Sequence, residues 1–479
     1  MRILRKNELE EHNFFQRYVP EESNRVKAII AGVRRSGDRA LRDFCREFDD
    51  AVIDEIRVGR DEIEEAYEMV EAGAVESIKF AVGNVRKFHA RQLRAVKEFS
   101  VSERGLRLEM KMKPVQRVGC YVPGGNYPLP STAIMTVVPA IVAGVPEVVL
   151  CTPPRKQGDV DPVVLVAADV AGAREIYRVG GAQAIAAMAY GTESIRAVDL
   201  VVGPGNRYVQ AAKREVFGRV GIDFLAGPSE VCIVADDSAS VEILAFDLLA
   251  QAEHDRDARV VLVTDSDKLG RAVAERVQEL ADETGTREIL RRSVDRGVVL
   301  LVKKLEEAAE IANRFAPEHL VLMTKKGKRF NELFTTYGCM FVGRYSAVAL
   351  GDYVAGSNHT LPTAGGARYT GGLSTFHFLR FPTVVQIGKE GYDRISYHGQ
   401  NFGRIEGLEG HWRSVMARAS QAARRRVGAD VAKRRRKKVK KTRKPAKPKK
   451  KAKKGKKRLP RGKSIRASNA IRGARRGKK

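Results

Sequence analysis

The feature that most restricts the fold is an alternation of short apolar runs with Ala-rich stretches, which begins near residue 116. The runs are V-G-C-Y-V, E-V-V-L, E-I-Y-R-V, V-D-L-V-V, V-C-I-V-A-D, R-V-V-L-V-T and H-L-V-L-M. Each run has the length of a strand, and the stretch after many of them is long enough for a helix. This alternation predicts an α/β fold, with parallel sheets covered by helices on both faces.

The two flanks of this region have a different pattern. Residues 1 to about 115 are rich in charge, and apolar residues recur there at three- and four-residue spacing, which predicts helices. From about residue 365 the chain is mixed and rich in Gly and aromatic residues, and it is then helical in pattern through residue 421. Because 479 residues exceed what one core usually organises, we expect two or more domains.

The net charge of +29 is concentrated at one end of the chain. Residues 424–479 contain 30 of the 87 Lys and Arg residues and one acid, Asp430, which leaves 57 bases and 57 acids in the rest. The body of the chain is therefore electrically balanced, and the excess charge describes only the tail. Such a segment has almost no apolar residues and repels itself, so we expect it to be disordered.

The five cysteines are widely spaced and include no C-x-x-C pair, which predicts free thiols in a reducing compartment, the cytoplasm. Cys120 and Cys151 are candidate nucleophiles, although a free Cys is more often a small buried hydrophobe. The first twelve residues lack the apolar segment of a signal peptide. Residues 118–146 carry no charge, but their five prolines and a Gly–Gly pair favour a buried core segment over a membrane span.

One glycine-rich turn has the setting of a phosphate-binding loop. G-P-G-N-R-Y, residues 203–208, follows a predicted strand and precedes a predicted helix, but Tyr208 replaces the third glycine of the dinucleotide fingerprint. Asp223 lies 20 residues after Gly203, at the spacing of a ribose-binding acid. Such a partial fingerprint fits a tight strand–helix turn at least as well as a cofactor site.

Histidines, acids and an amide are placed where they could bind a metal. The candidates are Gln251 with His254, Asp352 with His359, and Glu406 and Glu409 with His411. Gln251 and His254 share one face of a predicted helix because they are three residues apart. A set of His and carboxylate ligands suits zinc, yet each His taken alone fits a surface or packed position better than a metal site.

F-A-P-E-H-L places Glu318 and His319 side by side before a predicted strand. Adjacent residues of a regular strand point to opposite faces, so the two share one site only if the backbone is irregular there, which Pro317 favours. Glu and His together form a general-base couple near neutral pH, and a solvated strand entry is the alternative.

Three Gly-rich loops, at residues 121–132, 226–230 and 361–375, allow a close approach of the backbone to a ligand or serve as plain turns.

Taken together and in this order, the motifs resemble those of the histidinol dehydrogenase family over roughly residues 1–420. The matching strings are G-C-Y-V-P-G-G, V-G-G-A-Q-A-I-A-A-M-A-Y-G-T-E-S, V-G-P-G-N, A-G-P-S-E-V, D-L-L-A-Q-A-E-H, A-P-E-H-L, G-D-Y-V-A-G-S-N-H-T-L-P-T and E-G-L-E-G-H.

The resemblance implies sites for NAD and for one Zn²⁺ per subunit. The residues that match zinc ligands are Gln251, His254, Asp352 and His411, the last donated by the partner subunit of a homodimer. The residues that match substrate contacts are Ser229, Gln251, His254, His319, Asp352, Glu406 and His411. Tyr121, Gln183 and Asn206 match NAD contacts, and Glu318 and His319 match the catalytic pair.

The resemblance also implies a reaction and an architecture. L-Histidinol would be oxidised to L-histidine through an aldehyde, with two hydride transfers to NAD, as the last step of histidine biosynthesis. His319 would take the alcohol proton, and Glu318 would help to activate water on the aldehyde. The family fold is two similar, incomplete Rossmann-like α/β/α domains with small terminal dimerisation elements. The implied division is 1–21 as an N-terminal arm, 22–120 with 229–373 as the first domain, 121–228 as the NAD-side domain, 374–421 as a helical dimerisation element and 422–479 as the basic tail.

Some positions depart from the family pattern. G-G-N-Y-P-L-P-S-T is not the commonest form of its loop, His377 stands where the family usually has Asp, and residues 378–396 are unfamiliar. Since family relatives oxidise other small polar alcohols with the same zinc and Glu–His groups, such an alcohol is the alternative substrate.

A function from another class is also compatible with the sequence. Residues 424–479 are similar to basic tails that neutralise phosphates, which predicts non-specific contact with a polyanion or nucleic acid. The tail contains no aromatic residue that could stack on bases, so sequence-specific recognition is not expected. A localising or solubilising extension and a passive addition are the other interpretations.

Overall fold

The computed structural model describes residues 1–12, 14–15, 24–124, 127–283 and 287–419, together with positions 433 and 436. Most of the predicted basic tail, and part of the predicted N-terminal arm, therefore lie outside the described residues. The chain divides into two compact units, one formed by residues 1–103 and 107–386 and the other by residues 104–106 and those from 387 onward.

The described residues form sixteen strands and fifteen α-helices. The strands are β1 (Arg2–Arg5), β2 (Phe99–Glu103), β3 (Leu106–Met110), β4 (Lys113–Pro114), β5 (Arg117–Tyr121), β6 (Glu147–Thr152), β7 (Glu175–Arg178), β8 (Leu200–Val202), β9 (Gly221–Ile222), β10 (Glu230–Ala235), β11 (Arg259–Thr264), β12 (Val298–Leu301), β13 (His319–Met323), β14 (Cys339–Val342), β15 (Leu379–Arg380) and β16 (Thr383–Ile387). The helices are α1 (Asn24–Phe48), α2 (Arg60–Met69), α3 (Ala72–Arg94), α4 (Pro130–Val142), α5 (Pro162–Ala171), α6 (Gly181–Tyr190), α7 (Arg207–Val216), α8 (Val241–Ala252), α9 (Asp267–Glu283), α10 (Arg287–Arg296), α11 (Glu306–Phe315), α12 (Lys328–Asn331), α13 (Val348–Tyr353), α14 (Lys389–Ile405) and α15 (Glu409–Ala417).

The first large sheet has five parallel strands in the order β7-β6-β5-β8-β9. Every residue of β5 is buried, because one face packs against α4 and α5 and the other against α6 and α7. A strand covered on both faces needs apolar residues at consecutive positions, which explains why the runs in the sequence do not alternate.

The second large sheet has six parallel strands in the order β1-β12-β11-β10-β13-β14. Helices α8 and α9 contribute to the apolar cluster on one face, and α11 contributes to the cluster on the other. The two layered parallel sheets confirm the predicted α/β fold. All seven apolar runs named from the sequence overlap strands of these two sheets.

The packing of the N-terminal helices differs from the division drawn from the sequence. That division grouped residues 22–120 with residues 229–373, but α1, α2 and α3 share their apolar clusters with α4 to α7 of the five-stranded layer. Amphipathic periodicity identified these helices correctly, but it does not specify which sheet their apolar faces cover.

Two smaller features complete the fold. Strands β2 and β3, within the region expected to be helical, are joined at Arg104 and Gly105, both with positive φ, as a two-residue hairpin turn requires. In the second unit, α14 and α15 pack together, and the Tyr392 hydroxyl donates to the Val415 carbonyl at 2.6 Å. No helix among the described residues has the length and apolar character needed to cross a membrane.

Candidate active site

Glu318 and His319 come together at the start of β13. Both side chains are buried, and Glu318 Oε2 lies 3.6 Å from His319 Nδ1. The irregular backbone that the sequence required is present, because Ala316 adopts a left-handed φ of 56° where α11 ends, and Glu318 lies outside the strand. The adjacent Glu and His are therefore directed to one place instead of to opposite faces.

The backbone of Glu230 orients both members of this pair. Its N–H donates to Glu318 Oε2 at 2.8 Å, and its carbonyl oxygen lies 3.3 Å from His319 Nδ1. A carbonyl only accepts, so the proton of a neutral His319 belongs on Nδ1 and Nε2 keeps its lone pair. Nε2 is buried and has no hydrogen-bond partner in the described chain, and it lies 3.5 Å from Asp352 Oδ1.

Burial and charge together displace the pKa values of this cluster. Burial raises the pKa of Glu318 to about 7, and the neighbouring His319 offsets only part of that shift. Burial opposes protonation of His319, but the carboxylates of Glu318 and Asp352 more than compensate and raise its pKa. Asp352 has a lowered pKa, because its contacts with His319 outweigh its burial. Groups with such neighbours are suited to proton transfer near neutral pH.

Glu230 itself was not among the residues identified from the sequence. Its side chain is buried, and burial raises its pKa to about 7 despite Arg259 at 3.5 Å. Oε2 accepts the N–H of Ala364, in the Gly-rich loop after the six-stranded sheet. Glu230 thereby connects this loop to the reactive pair. Its place in the A-G-P-S-E-V string was visible, but its burial was not.

The metal-ligand candidates of the first unit lie at the ends of two helices. Gln251 is buried in the last turn of α8, and His254 is exposed just beyond that helix, with its N–H 3.4 Å from the Gln251 carbonyl. Asp352 is half-buried on α13, and the charge of His254 is among those that lower its pKa. His254 therefore lies near enough to Asp352 to affect its charge, and Gln251 lies one helical turn before His254.

Behind Asp352, His359 is fixed on both ring nitrogens. Nδ1 lies 2.8 Å from the Asp352 carbonyl, and Nε2 lies 3.4 Å from the Thr132 hydroxyl. Because both nitrogens have partners within the protein, His359 supports the backbone of Asp352 instead of offering a metal ligand.

The three remaining ligand candidates belong to the second unit. Glu406 follows the end of α14, Glu409 and His411 lie on α15, and all three side chains are exposed. Within the described part of the chain, no three His, Cys, Asp or Glu side chains form a ready metal site. Ser229, the remaining substrate candidate, is half-buried directly before β10, and its carbonyl accepts the N–H of Arg259 at 2.9 Å.

The three residues matched to NAD contacts line one cavity of about 870 Å³. The Tyr121 hydroxyl accepts the N–H of Gly181 at 2.9 Å. Gln183 is almost fully buried, and its Nε2 has no partner in the described residues. Asn206 caps α7 by accepting two backbone N–H groups at 3.0 and 3.2 Å. A concave site with a few unsatisfied polar groups is typical of ligand binding.

The turn before α7 is held from behind by a buried ion pair. Lys213 and Asp223 are paired with almost no exposure, the Lys213 ammonium donates to the Gly203 carbonyl at 2.9 Å, and Asp223 accepts the Gly203 N–H at 2.8 Å. Gly203 has a φ of 122°, and a Cβ there would lie 2.2 Å from the Tyr121 carbonyl oxygen. The interpretation of Asp223 as a ribose-binding acid is therefore wrong, because its carboxylate is consumed inside the protein.

The cysteines and His377 have structural surroundings. All five thiols are free, which confirms that prediction, and burial raises the pKa of Cys120 and Cys151, so neither is a thiolate nucleophile at neutral pH. His377 Nδ1 accepts the Ser374 N–H at 3.2 Å. It therefore caps a short 3₁₀-helix as an Asp acceptor would.

Comparison with known proteins agrees with this geometry. The family model described as histidinol dehydrogenase matches residues 16–419. The chain belongs to the histidinol dehydrogenase family. The histidinol dehydrogenase of Methanothermobacter thermautotrophicus is 48% identical over 394 residues, covering 82% of this chain and 92% of that protein. The histidinol dehydrogenase of Methanocaldococcus jannaschii is 42% identical over 393 residues, covering 82% of this chain and 91% of that protein.

A solved structure also supports the family assignment. The crystal structure of histidinol dehydrogenase from Elizabethkingia anophelis superposes with a TM-score of 0.81 at 34% identity, covering 87% of this chain and 98% of that chain. Membership of the histidinol dehydrogenase family confirms the resemblance drawn from the motifs and places the chain among the oxidoreductases. The family match ends at residue 419, so it excludes the basic tail.

Proposed function

We propose that this chain oxidises L-histidinol to L-histidine through the aldehyde, with two molecules of NAD reduced for each histidinol. The observation that carries the proposal is the buried Glu318–His319 pair, with its free Nε2 3.5 Å from Asp352 Oδ1. An alcohol oxidation needs a base at the hydroxyl, and the following aldehyde oxidation needs a base for water. Family membership supports the choice of substrate.

The two side chains divide the proton transfers. His319 donates Nδ1–H to the Glu230 carbonyl, so Nε2 takes the proton of the alcohol as the hydride leaves. Glu318, with its pKa near neutrality, accepts a proton from the water that adds to the aldehyde. The resulting hydrate loses a second hydride, and the balance is one alcohol and one water converted to one carboxylate, with two NADH and three protons released.

The residues around this pair fit a bound zinc ion. His254 lies close enough to Asp352 to lower its pKa, Gln251 lies one helical turn before His254, and His319 Nε2 lies 3.5 Å from Asp352 Oδ1. Zinc accepts such donors in four-coordinate sites, and we propose the partner subunit's His411 as the fourth. When bound, the ion would fix the substrate and polarise its oxygen.

The cavity that contains Tyr121, Gln183 and Asn206 fits NAD. The unpartnered Nε2 of Gln183 is a buried donor, which is costly unless a ligand accepts from it. Asn206 begins α7, and a helix N-terminus favours anionic groups such as phosphates. NAD would supply the hydride acceptor, and these side chains would bind and orient it.

The test is NADH formation, followed by absorbance, with the full-length protein, zinc and L-histidinol. We expect two NADH per histidinol, and loss of the reaction on chelation and in His319→Gln. An exposed-histidine variant, His398→Gln, is the matched control and should keep full activity. A folded, zinc-bound protein that reduces no NAD with histidinol would overturn the proposed substrate.

A relative of histidinol is the alternative substrate. The departures from the family pattern, at His377 and at residues 378–396, favour testing it. A panel of small polar alcohols under the same assay distinguishes the two, because only a mismatched substrate pocket would give a higher kcat/KM with another alcohol than with histidinol.

We further propose that residues 424–479 bind polyanions without sequence preference. The 30 bases confined to this segment support the proposal, since each neutralised phosphate releases counterions. We expect the full chain to bind a mixed-sequence duplex with an affinity that falls steeply with salt, and a chain truncated after residue 423 to lose this binding while keeping its turnover. Equal affinity of both forms for DNA would contradict the proposal.

The five free thiols fit a reducing, cytoplasmic location.

A further inference from the structure

The cavity matched to NAD has a balanced set of charged side chains. They are Arg25, Glu47, Asp49, Arg155, Lys156 and Asp161. Each of the three bases has a carboxylate partner, in the pairs Arg25 with Glu47 (3.5 Å), Arg155 with Asp159, and Lys156 with Asp50 (3.1 Å). Among the described residues, each base in the lining of the cavity is therefore paired with a carboxylate.

Two of the three acids also have structural tasks. Glu47 is paired with Arg25, and Asp161 caps α5 by accepting the N–H of Val163 at 3.0 Å. Asp49 has no basic partner among the described residues and caps no helix, and its carboxylate contacts the Cys45 thiol. Its Oδ2 is buried and makes no hydrogen bond within the described chain.

The position of Asp49 is unfavourable for an ionised carboxylate. It directly follows α1, where the negative end of the helix dipole repels an anion. Burial raises its pKa to about 6, and a contact with the Cys45 thiol offsets this only in part. The thiol is a weak donor, so Asp49 has no strong compensation for its burial among the described residues.

Asp49 lies close to the residues matched to NAD. Its charge adds to burial in raising the pKa of the Tyr121 hydroxyl, and both residues line the same cavity as Gln183. Asp49 and Gln183 are thus two polar residues in the wall of the cavity, and Gln183 Nε2 makes no hydrogen bond within the described residues.

We propose that Asp49 accepts hydrogen bonds from the adenosine ribose hydroxyls of NAD and thereby excludes NADP; this rests on the NAD-linked function proposed above. An ionised carboxylate accepts from a diol but repels a 2′-phosphate. The paired bases of the cavity leave that phosphate without compensation. Asp223, the acid at the spacing expected from sequence, is enclosed with Lys213 and is unavailable.

The test is the direct binding of NAD⁺, NADP⁺ and 2′-deoxy-NAD⁺ to the full-length protein by calorimetry, without substrate. We expect Asp49→Ser to weaken NAD⁺ binding roughly 10- to 100-fold, the range for a hydrogen bond to a charged group. The preference for NAD⁺ over NADP⁺ should fall by at least about 10-fold, because the repulsion is removed. Asp54→Asn is the matched control, since Asp54 is exposed and does not line the cavity.

The wild-type protein provides a test that does not depend on a variant folding. The loss of affinity for 2′-deoxy-NAD⁺ relative to NAD⁺ should be large in the wild type and small in Asp49→Ser. Equal affinities of the wild type for these two nucleotides, or an unchanged preference in Asp49→Ser, would overturn the assignment. Absence of NADH formation together with these binding results would instead count against the proposed reaction alone.

Discussion

Glu230 shows how the reactive pair acquires its orientation at the scale of single residues. Its peptide N–H and carbonyl hold Glu318 and His319, while its own carboxyl group holds the Ala364 N–H. Because the Nδ1 proton is directed to a carbonyl, the tautomer of His319 is set by the main chain. In its neutral form His319 therefore presents the Nε2 lone pair towards Asp352.

Glu318→Gln should separate the two oxidation steps. The amide oxygen keeps the hydrogen bond from Glu230, so the geometry is retained, but the side chain no longer accepts a proton from water. We expect oxidation of supplied aldehyde to slow by about 10²–10⁴-fold, with a smaller effect on the first hydride transfer. Rapid-mixing absorbance, with each substrate supplied separately, measures both steps. Equal losses in the two steps would contradict this division of labour.

The buried carboxyl of Asp49 predicts a pH-dependent effect on stability. Its folded-state pKa is raised from 3.8 to about 6, so the folded state binds a proton that the unfolded state releases between these values. The stabilising contribution of this proton is therefore present below pH 3.8 and is lost as pH rises through 6. We expect the melting temperature of Asp49→Asn minus that of the wild type to increase as the pH rises from 4.5 to 7.5. A difference that does not vary with pH would contradict the raised pKa of Asp49.

Sequence patterns identified single residues by type and order better than by surroundings. The Glu318–His319 pair was identified as a base couple on condition of an irregular backbone, which Ala316 provides. Glu230, Asp49 and the unavailability of Asp223 were not accessible to pattern, because burial and pairing arise from distant segments. Asp223 is paired with a lysine ten residues earlier, and the sequence spacing fits either role.

At the scale of elements, the turn between β8 and α7 is held by a buried ion pair. Lys213 on α7 and Asp223 after β9 bind the two peptide groups of Gly203 from inside the fold. The turn therefore keeps its shape although Tyr208 stands at the third glycine position. The dinucleotide fingerprint at residues 203–208 could not indicate how the turn is held, because Lys213 and Asp223 lie outside those residues.

Lys213→Met tests this function of the pair. Removing the ammonium leaves the Asp223 carboxylate buried without its partner, which typically costs about 3–5 kcal/mol. We expect a loss of that size in the free energy of unfolding from urea titration, with partial recovery in Lys213→Met/Asp223→Asn. Lys156→Met removes an exposed pair and should cost about 0–1 kcal/mol. Similar losses in the two single variants would contradict a buried pair.

The strands were the most predictable elements, and the packing of the helices was the least. Uninterrupted apolar runs identified β5 and β13 because a doubly covered strand leaves few alternatives. The β2–β3 hairpin was missed although F-S-V-S-E and L-R-L-E-M alternate apolar and polar residues, because the helical prediction for residues 1 to about 115 passed over this short local pattern. The partner sheet of α1 to α3 depends on contacts that periodicity does not encode.

At the scale of the whole molecule, the donors proposed for one zinc site are distributed over two compact units. Gln251, His254 and Asp352 belong to the first unit, and His411 belongs to the second. The proposed homodimer would complete this site with the partner subunit's His411, as the family resemblance implies.

Mixing two inactive variants tests that arrangement. His319→Gln and His411→Ala homodimers should each be inactive, and a mixed dimer should contain one site with both histidines intact if the partner subunit's His411 completes it. Random pairing should then restore about a quarter of the wild-type activity after dissociation and reassociation. Mixed dimers, verified by mass, that remain inactive would show that both histidines act within one subunit.

The register between β10 and β13 also bears on how this enzyme tolerates mutation. Val231 is aligned with His319, which places the peptide groups of Glu230 against the reactive pair. Nineteen of the twenty amino acids would present the same N–H and carbonyl at that point, and only proline lacks the N–H. The orientation of the catalytic base is thus fixed by main-chain groups of two paired strands. A substitution at position 230 by any residue other than proline leaves these groups in the chain.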